Sequence, residues 1–303
     1  MSVAAIIVNY NAGEWLLRSA QSALQDAQIA KVYVVDNAST DSSLEIFEAS
    51  LQSVSDEKSK LELIQNASNL GFGKANNIAL NHILKQEDNI EFVLLLNPDC
   101  ELNAAVLPTM LPYFQQYSTL GMAGCVIRNS DGSIQSTCRR NFPTPWSAFL
   151  RMTQLHRLGI AKQSDFDLGT REMTEEFANV EAISGAFMLV RMSAIKEVGI
   201  FDEAYFMHCE DLDWCKRFEE IDWQVGFVSS VSVLHEKGVS SQSRRIGVLW
   251  NLHQGMLRFF DKFYRQNHSA AFRFLVSAGI YLSFFGRAAL SSFKSLLQRC
   301  AGH

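Results

Sequence analysis

A run of five apolar residues that stops abruptly at Asn97-Pro98-Asp99 is the feature that most restricts how this chain can fold. The run, Phe92 to Leu96, predicts a strand buried on both faces, at the centre of a parallel sheet. Proline has no N–H to donate to a sheet, so the strand ends there and presents Asp99 at its carboxyl end. That position suits a divalent cation that carries a diphosphate; the alternative is that Asp99 or Asn103 caps the following helix.

The first hundred residues alternate between strand patterns and helix patterns in the order βαβαβαβ. The predicted strands are Val3–Val8, Lys31–Val35, Leu61–Gln65 and Phe92–Leu96, with helices between them at about 13–24, 40–51 and 74–84. This alternation predicts a doubly wound parallel sheet.

Polar side chains follow all four strands, at Asn9, Asp36, Asn66 and Asp99. The carboxyl ends of parallel strands lie at one edge of a sheet, so these side chains converge on one crevice and favour a nucleotide site. The sequence has neither a glycine-rich dinucleotide fingerprint after the first strand nor a P-loop, which disfavours those two kinds of site.

Two parts of this edge indicate what is bound. Asp36 can accept a hydrogen bond from N3–H of uracil or thymine, a donor that adenine lacks, and so predicts a pyrimidine nucleotide. The segment from Asn69 to Asn77 offers glycines for close approach of the backbone and amides for hydrogen bonds. The same segment is equally typical of a turn that starts a helix, and both interpretations stay open.

Beyond Asp99 the pattern is less regular. We expect a helix at about 104–116, a strand at 121–128, a turn at Asp131-Gly132 and an irregular insertion or lid over 142–178. These are followed by a strand at 181–190, a short helix at 193–198 and strands at 223–228 and 232–234. Gly185 inside the 181–190 strand predicts close approach by a ligand or by another backbone.

Three acids, Glu210, Asp211 and Asp213, crowd the start of a predicted helix. One of them is a candidate general base, because neighbouring carboxylates and apolar side chains raise the pKa of a carboxyl group. The alternative is that they only complement the positive end of the helix dipole. His235, at the end of a later strand, is a candidate metal contact or an ordinary structural histidine.

Charge is unevenly distributed along the chain. From Arg244 onward nine Lys and Arg stand against one acid, a net +8, so the whole-chain charge of -5 leaves -13 on residues 1–243. Within this basic tail, apolar residues recur at three- and four-residue steps over 248–263 and 272–297, which predicts two amphipathic helices. Such helices lie on an anionic membrane surface, or they pack on the rest of the chain or form a homo-oligomer interface. The longest apolar stretch of the tail, 274–285, is shorter than the roughly 20 residues of a membrane span.

Six cysteines without a CxxC pair, and a first strand that begins at Val3, predict reduced thiols in a cytosolic protein without a targeting segment. The acidic balance disfavours a nucleic-acid partner.

Eight short stretches resemble the family 2 glycosyltransferases with the GT-A fold, in particular their bacterial rhamnosyltransferase-like branch. They are Val8–Asn11, Val35–Asp41, Asn69–Gly73 with Asn76-Asn77, Leu96–Asp99, Ser184–Ala186, Gly199–Glu203, Glu210–Asp213 and His235. Each stretch alone is weakly specific, whereas eight in the family's order across about residues 3–240 are very specific.

The resemblance implies an α/β fold of the GT-A type, a Rossmann-like mixed sheet flanked by helices, with C-terminal amphipathic helices. It implies a catalytic domain at 1–240, with a nucleotide-binding half at 1–100 and an acceptor-binding half at 101–240, and a basic helical tail at 241–303. The implied reaction is inverting transfer of a sugar, with L-rhamnose from dTDP-rhamnose as first choice, to a glycan or lipid-linked hydroxyl in cell-surface polysaccharide synthesis. The implied location is the cytoplasm, or the cytoplasmic face of the inner membrane as a peripheral protein.

The resemblance also implies roles for individual residues. Asp36 resembles the acid that reads the base, and Asp99 the last acid of the DxD metal motif. Asp211, paired with Glu210, resembles the catalytic base, and His235 the histidine that assists the metal, Mg²⁺ or Mn²⁺, or the diphosphate. The other positions matched to nucleotide-sugar binding are Asn9, Tyr10, Asn11, Asn69, Gly71, Phe72, Lys74, Asn76, Asn97 and Gly185.

Asn97 stands where the first acid of the DxD motif is expected, so a single firm carboxylate remains and metal affinity is expected to depend on the bound diphosphate. Three alternatives to the rhamnosyl reaction stay open: a UDP-sugar-dependent transferase of galactose or N-acetylglucosamine, a non-catalytic nucleotide-sugar-binding protein, and a nucleotidyltransferase. The last is disfavoured because no basic, glycine-rich triphosphate loop follows the first strand.

Overall fold

The computed structural model describes residues 1–51, 57–86, 89–144, 166–236 and 245–301. It divides into two compact units. Unit 1 comprises Met1–Phe142, Asp167–Glu203 and Glu210–Ser240, and unit 2 comprises Pro143–Phe166, Ala204–Cys209 and Ser241–His303. Most of the lid expected at 142–178 lies outside the described residues, at 145–165. The two halves expected on either side of residue 100 remain a prediction.

Unit 1 contains a nine-stranded mixed sheet and a separate two-stranded ribbon. The strands are β1 Val3–Asn9, β2 Ile29–Asp36, β3 Leu61–Gln65, β4 Phe92–Leu96, β5 Cys100–Glu101, β6 Leu120–Arg128, β7 Arg139–Arg140, β8 Phe177–Asn179, β9 Ala182–Ile183, β10 Phe187–Arg191 and β11 Gln224–His235. The large sheet has the order β3-β2-β1-β4-β10-β6-β11-β5, with β8 beside β11, and the ribbon pairs β7 with β9.

The first four strands form the parallel half of the sheet, as the βα alternation predicted. β1 pairs in parallel with both β2 and β4, and β2 pairs in parallel with β3. Every residue of β1 and β4 is buried, as expected of strands covered on both faces. β10 pairs antiparallel with β4 and β6, so the sheet is mixed and the expected α/β fold is confirmed.

The helices of unit 1 among the described residues are α1 Trp15–Leu24, α2 Ser43–Leu51, α3 Phe72–Lys85, α4 Val106–Gln116, α5 Met192–Val198 and α6 Glu210–Glu219. In α1 the buried side chains recur at three- and four-residue steps from Leu16 to Leu24, so one face packs inward. Asn103, not Asp99, accepts the backbone N–H of Ala105 just before α4, at 3.0 Å. The helix-cap alternative for Asp99 therefore fails.

The strand predicted at 181–190 is wrong as one element. It breaks at Ser184–Ala186 into β9, which pairs with β7, and β10, which pairs with β4 and β6. The apolar residues on both sides of the break have the pattern of one continuous strand. At the break, however, the backbone N–H of Gly185 donates to a side chain instead of to a neighbouring strand.

The two strands predicted at 223–228 and 232–234 are also wrong, because β11 runs through both. Its pairing with β6 shifts register between Val228 and Ser232. Ser229, at this irregularity, donates its backbone N–H to the Glu176 carbonyl at 2.8 Å and its hydroxyl to the Glu175 carbonyl at 2.9 Å. Because these partners satisfy Ser229, the strand continues past it.

Unit 2 contains the two expected tail helices, α7 Arg245–Phe263 and α8 Ala270–Ala301, with a short 3-10 helix at Arg265–Asn267 between them. By length and composition alone, Ala270–Ser292 could cross a membrane, with 23 residues and a mean hydropathy of 1.4. The expectation that no stretch of the tail reaches bilayer length is therefore wrong. The serines and single arginines that interrupt the apolar run do not lower its mean hydropathy enough to exclude a membrane span.

A strained segment packs against α7. His208 and Cys209 both have left-handed backbones, with φ of 73° and 69°. Gly255 of α7 lies so close that a Cβ added there would meet the His208 carbonyl oxygen at 2.6 Å. The residue that follows this segment in the chain is Glu210, the first residue of α6.

Candidate active site

A hydrogen-bonded network links the residues at the carboxyl ends of β1 and β2. The buried Asn9 amide donates to an Asp36 carboxylate oxygen at 2.8 Å and to the hydroxyls of Ser39 and Ser43 at 3.0 and 2.9 Å. The other Asp36 oxygen accepts the Ser39 backbone N–H at 3.1 Å. Asn11, with φ of 54°, accepts the backbone N–H of Thr40. Asp36 thus lies where expected but is buried, with both oxygens already accepting one hydrogen bond.

Asn37 organises the loop before α3. Its amide donates to the Asn69 side chain at 2.9 Å and to the Gly71 carbonyl at 3.2 Å, and its side-chain oxygen accepts the Leu70 N–H. Gly71 has φ of 84°, which favours glycine, and α3 begins at Phe72. The loop is therefore a helix-initiating turn, and it points the Phe72 ring toward Gly185, at 3.6 Å from the position of an added Cβ.

Three further residues matched to nucleotide-sugar binding are Asn76 and Lys74, in α3, and Tyr10, directly after β1. Asn76 is buried and donates to the Phe72 carbonyl at 3.0 Å, and Lys74 forms a half-exposed ion pair with Glu203 at 3.7 Å. Tyr10 is partly exposed at the end of β1. The contact of Asn76 is structural, and the nucleotide-binding roles of Asn76, Lys74 and Tyr10 remain predictions.

Asp99 and His235 meet because β5 pairs antiparallel with the end of β11. The register places His235 opposite Cys100, and the backbone N–H of Glu236 donates to the Asp99 carbonyl at 3.0 Å. His235 Nε2 then lies 3.1 Å from Asp99 Oδ1 and 3.4 Å from the Asn97 amide nitrogen. The two side chains of the predicted metal site and the side chain of Asn97 come together in this way.

The hydrogen-bond partners of this group suit a cation. His235 Nδ1 lies 3.2 Å from the Gln135 side-chain oxygen, which can only accept, and this contact favours the tautomer with its proton on Nδ1 and a lone pair on Nε2. Asp99 Oδ1 is buried and accepts no hydrogen bond within the described part of the chain. Two lone pairs therefore face one point, which fits a divalent cation. The described residues contain no cluster of three or more His, Cys, Asp or Glu side chains arranged for a metal.

The Glu210-Asp211 pair forms the second centre of the site. Asp211 Oδ2 accepts two hydrogen bonds, from Arg140 Nη2 at 2.5 Å and from the Gly185 backbone N–H at 3.1 Å. Asp211 Oδ1 accepts the Leu212 N–H at 2.8 Å. Each carboxylate oxygen has two lone pairs, so Oδ1 keeps one for a further proton.

The two neighbouring carboxyl groups titrate in opposite directions. Burial raises the pKa of Glu210 to about 8, and the negative charge of Asp211 adds to that rise. Burial would also raise the pKa of Asp211, but the charge and hydrogen bond of Arg140 outweigh it and hold that pKa below its ordinary value. At neutral pH the pair is therefore one neutral acid beside one carboxylate.

The third acid of the cluster has a structural role. Asp213 is fully buried and accepts from Arg217 Nε at 2.8 Å, while the same guanidinium donates to the carbonyls of Val198 and Ile200. This arrangement joins α6 to the end of α5 and removes Asp213 from the candidate bases.

The sequence interpretation missed three residues: Asn37, Gln135 and Arg140. Arg140 is the one with a visible signal, since it belongs to the arginine doublet Arg139-Arg140. Only Arg140 of the doublet reaches Asp211; Arg139 donates to the carbonyl of Arg171. Gln135 and Asn37 are ordinary polar residues in the sequence, and only the fold shows what they contact.

Comparison with known proteins connects this geometry to a family. The family model described as glycosyl transferase family 2 matches residues 4–199, more than half of the chain. The chain is 26% identical over 260 residues to the N-acetylglucosaminyl-diphospho-decaprenol L-rhamnosyltransferase of Mycobacterium tuberculosis, covering 78% of this chain and 76% of that protein. It is 27% identical over 212 residues to rhamnosyltransferase WbbL of Escherichia coli, covering 68% and 70%.

Solved structures agree on the fold. A mannosyltransferase from Pyrobaculum calidifontis, in complex with GDP-Man and Mn²⁺, has a TM-score of 0.58 and 14% identity over 99% of this chain and 80% of its own. The chain therefore belongs to glycosyl transferase family 2, in its rhamnosyltransferase-like branch, and is a glycosyltransferase with the GT-A fold.

Proposed function

We propose that this protein transfers L-rhamnose, with inversion, from dTDP-rhamnose to a hydroxyl of a lipid-linked glycan acceptor in cell-surface polysaccharide synthesis. The observation that carries the proposal is the Asp211 carboxylate, ionised at neutral pH and with one lone pair of Oδ1 left for a proton. The named activities of the two rhamnosyltransferase relatives support the donor sugar, and the diphospho-decaprenol acceptor of one of them supports the acceptor class.

The chemistry follows from the position of that lone pair. The acceptor hydroxyl attacks C1 of the sugar and passes its proton to Asp211 Oδ1, while the bond between C1 and the diphosphate oxygen breaks and its electron pair leaves with the nucleotide. Attack from the face opposite the leaving group inverts the anomeric configuration. Because Arg140 lowers the basicity of Asp211, the carboxylate accepts the proton as the new bond forms rather than before it. Neutral Glu210 adds no competing negative charge beside it.

Asp99 and His235, with Asn97 beside them, would hold Mg²⁺ or Mn²⁺, which when bound supplies positive charge for the leaving diphosphate. The Gln135 side-chain oxygen, 3.2 Å from His235 Nδ1, would favour the tautomer that leaves Nε2 for the metal. Asp36, at the end of β2, would read a pyrimidine base with its remaining lone pairs. The other matched positions, from Asn9 and Asn11 to Asn69 and Gly71, would shape this edge around the nucleotide.

The protein's location is part of the proposal. A lipid-linked acceptor lies in a membrane, so the protein would work on the cytoplasmic face of the inner membrane as a peripheral protein. The basic tail and the apolar helix α8 support this placement, because anionic lipids attract basic segments.

The test is a donor screen with a synthetic polyprenyl-diphosphate-linked N-acetylglucosamine as acceptor and Mg²⁺ or Mn²⁺ present. We expect dTDP-rhamnose to give an inverted product by NMR, ahead of UDP-galactose and UDP-N-acetylglucosamine. Turnover with a UDP-sugar alone would identify that sugar nucleotide, and not dTDP-rhamnose, as the donor. Donor binding without turnover on any acceptor would favour the non-catalytic alternative.

Asp211→Asn should lower turnover at least about a hundredfold while calorimetry still shows donor binding, since a positioned base contributes that much. Glu219→Gln, an exposed acid on the same helix, is the matched control and should leave turnover unchanged. Near-normal turnover in Asp211→Asn would remove Asp211 as the base.

A further inference from the structure

A cavity of about 630 Å³ lies within unit 2, between α7 and α8. Hydrogen-bond donors dominate its polar lining, with two cations against one acid. The polar side chains that line it are Gln254, Arg258, Asp261, Lys262, Ser277 and Tyr281. A cavity with this lining favours a ligand rich in anionic oxygens.

One of the donors is buried and unused. Gln254 Nε2 is inaccessible to solvent and has no hydrogen-bond partner among the residues that the structure describes. An unsatisfied buried donor costs free energy unless a ligand or water accepts its hydrogen bond. Arg258, one turn further along α7, lines the same cavity with its guanidinium over the Tyr205 ring, 5.3 Å from the ring centroid. A phosphate oxygen in the cavity would satisfy the Gln254 amide and complement Arg258 and Lys262.

The far side of α8 is apolar and exposed. Trp250 packs edge-on against Phe284 at 5.0 Å, and His253 lies 3.3 Å from the Ser283 hydroxyl, so these contacts mark the side of α8 that faces α7. The opposite side carries large apolar residues that are 62–72% exposed: Phe274, Leu275, Leu282, Phe285 and Leu290. A surface of this kind calls for an apolar partner such as lipid.

The pairing of the two helices favours a position in the membrane surface over a crossing. α7 lies alongside α8, so a membrane-crossing α8 would take Arg258, Asp261 and Lys262 of α7 into the hydrocarbon. Charged side chains are expensive there. With the apolar side of α8 in the acyl chains and α7 toward the headgroups, the same charges lie at phosphate level.

We propose that the α7–α8 hairpin lies in the membrane interface and that its cavity binds the diphosphate group of a polyprenyl lipid. The inference rests on the proposed function for the identity of that lipid, since the acceptor of the mycobacterial relative is attached to diphospho-decaprenol. The chemistry it shares with an ordinary phospholipid headgroup is the phosphate, and the experiment separates the two.

The experiment is flotation of the full chain with three kinds of vesicle, in EDTA so that a metal-bridged diphosphate in unit 1 does not contribute. The vesicles are phosphatidylcholine alone, phosphatidylcholine with phosphatidylglycerol, and phosphatidylcholine with polyprenyl diphosphate at the same total charge. We expect the diphosphate vesicles to recruit at least about tenfold more protein than the neutral ones, since each nearby basic residue adds roughly fivefold to binding. They should also recruit clearly more than the phosphatidylglycerol ones, because the donors that line the cavity pair with a diphosphate. Equal recruitment by the two anionic vesicles would overturn the diphosphate assignment.

Variants test the cavity itself. Arg258→Gln should lower recruitment to diphosphate vesicles about tenfold, and Arg265→Gln, an exposed arginine outside the cavity lining, should lower it less than threefold. Gln254→Leu removes the unused donor without changing charge and should reduce recruitment to diphosphate vesicles alone. Equal losses in Arg258→Gln and Arg265→Gln would show that recruitment depends on general surface charge, and would overturn the proposal that the cavity binds the diphosphate.

Two further readouts complete the test. Leu282→Asp should abolish recruitment to all vesicles; if it does not, the apolar side of α8 does not enter the membrane. If the full chain dimerises in sedimentation and ignores every vesicle, that side is an interface between two copies and the proposal fails. Recruitment is measured with no donor present and should persist in Asp211→Asn, so loss of the rhamnosyl reaction and loss of lipid binding are separate outcomes.

Discussion

At the scale of single residues, the main feature of the site is that adjacent carboxyl groups differ in protonation. Arg140 and the Gly185 N–H act on Asp211, whereas the Glu210 side chain is buried and one of its oxygens has no partner among the described residues. The chain thus places a carboxylate next to a neutral acid. Arg140 is a positioning residue here: it acts on the reaction through Asp211.

Arg140→Gln should move the acidic limb of the kcat/KM profile to higher pH by about one to two units. The active form of Asp211 is the carboxylate, and removing the cation raises its pKa, so protonation begins at higher pH. Turnover against pH measures the shift. Arg139→Gln, whose guanidinium contacts the Arg171 carbonyl instead, is the control. An acidic limb that stays in place would show that Arg140 does not act through Asp211.

Glu210→Gln should change how stability depends on pH. The pKa of Glu210 is raised by burial from 4.5 to about 8 in the folded protein, so the unfolded chain loses its proton first as pH rises. The stabilising contribution of the neutral acid is complete below pH 4.5 and is lost as pH rises through about 8, by at most about 1.4 kcal/mol per pH unit. Urea unfolding at pH 5 and pH 8 should show the wild type losing more stability than the glutamine variant, and parallel losses would contradict the buried neutral state.

At the scale of elements, α7 packs against the segment that immediately precedes Glu210 in the chain. His208 and Cys209 hold left-handed backbones against Gly255, and the next residue is Glu210. Strained non-glycine residues of this kind persist only where the surroundings determine them, and here Gly255 is part of those surroundings.

Gly255→Ala should destabilise the protein by about 1–3 kcal/mol and lower turnover, because the new methyl group would lie 2.6 Å from the His208 carbonyl and must displace it. Gly247→Ala is the matched control on the same helix, with open space around the added Cβ, and should gain about 0.5–1 kcal/mol from helix propensity. Thermal unfolding and steady-state kinetics provide the comparison. Equal behaviour of the two variants would show that the contact is unimportant.

The elements also show how far sequence reasoning reaches. The four parallel strands were predictable, because each apolar run ends in a polar or turn-forming residue. β9 and β10 were not, since apolar residues flank Gly185 on both sides and only the fold shows its N–H donating to Asp211. β11 was divided in error at Ser229, whose partners at Glu175 and Glu176 lie over fifty residues away.

The same limit applies to the site. Asp99, His235 and Asn97 were foreseen from strand ends and family motifs, and the structure brings them together. Arg140 and Gln135 were missed because their function depends on contacts 71 and 100 residues distant in the chain. Local patterns carry no information about such pairs.

At the scale of the whole molecule, nucleotide and metal should stabilise the protein together. dTDP with Mn²⁺ should raise the Tm by about 5–10 °C at a hundredfold excess over Kd, whereas ADP with Mn²⁺ should raise it much less. The physical reason is that Asp99 offers one carboxylate, so the diphosphate must complete the metal's ligands, and Asp36 favours a pyrimidine base.

The same measurement contains its own controls. In EDTA the rise in Tm caused by dTDP should fall sharply. Gln135→Leu should lower the affinity for the metal about 10- to 100-fold, because His235 Nδ1 loses its hydrogen-bond partner. A full shift by dTDP after exhaustive chelation would refute the metal, and equal shifts with ADP would refute the base preference.

The contact between Gly255 and the His208–Cys209 segment has a consequence for protein engineering. A chimera that receives the tail helices of another family member would keep a 204–209 segment shaped for the original α7. The mismatch would lie one residue before Glu210. We therefore expect a chimera with exchanged tail helices to be active only when residues 204–209 are exchanged with them. The two segments must be transferred together although they are separated in sequence.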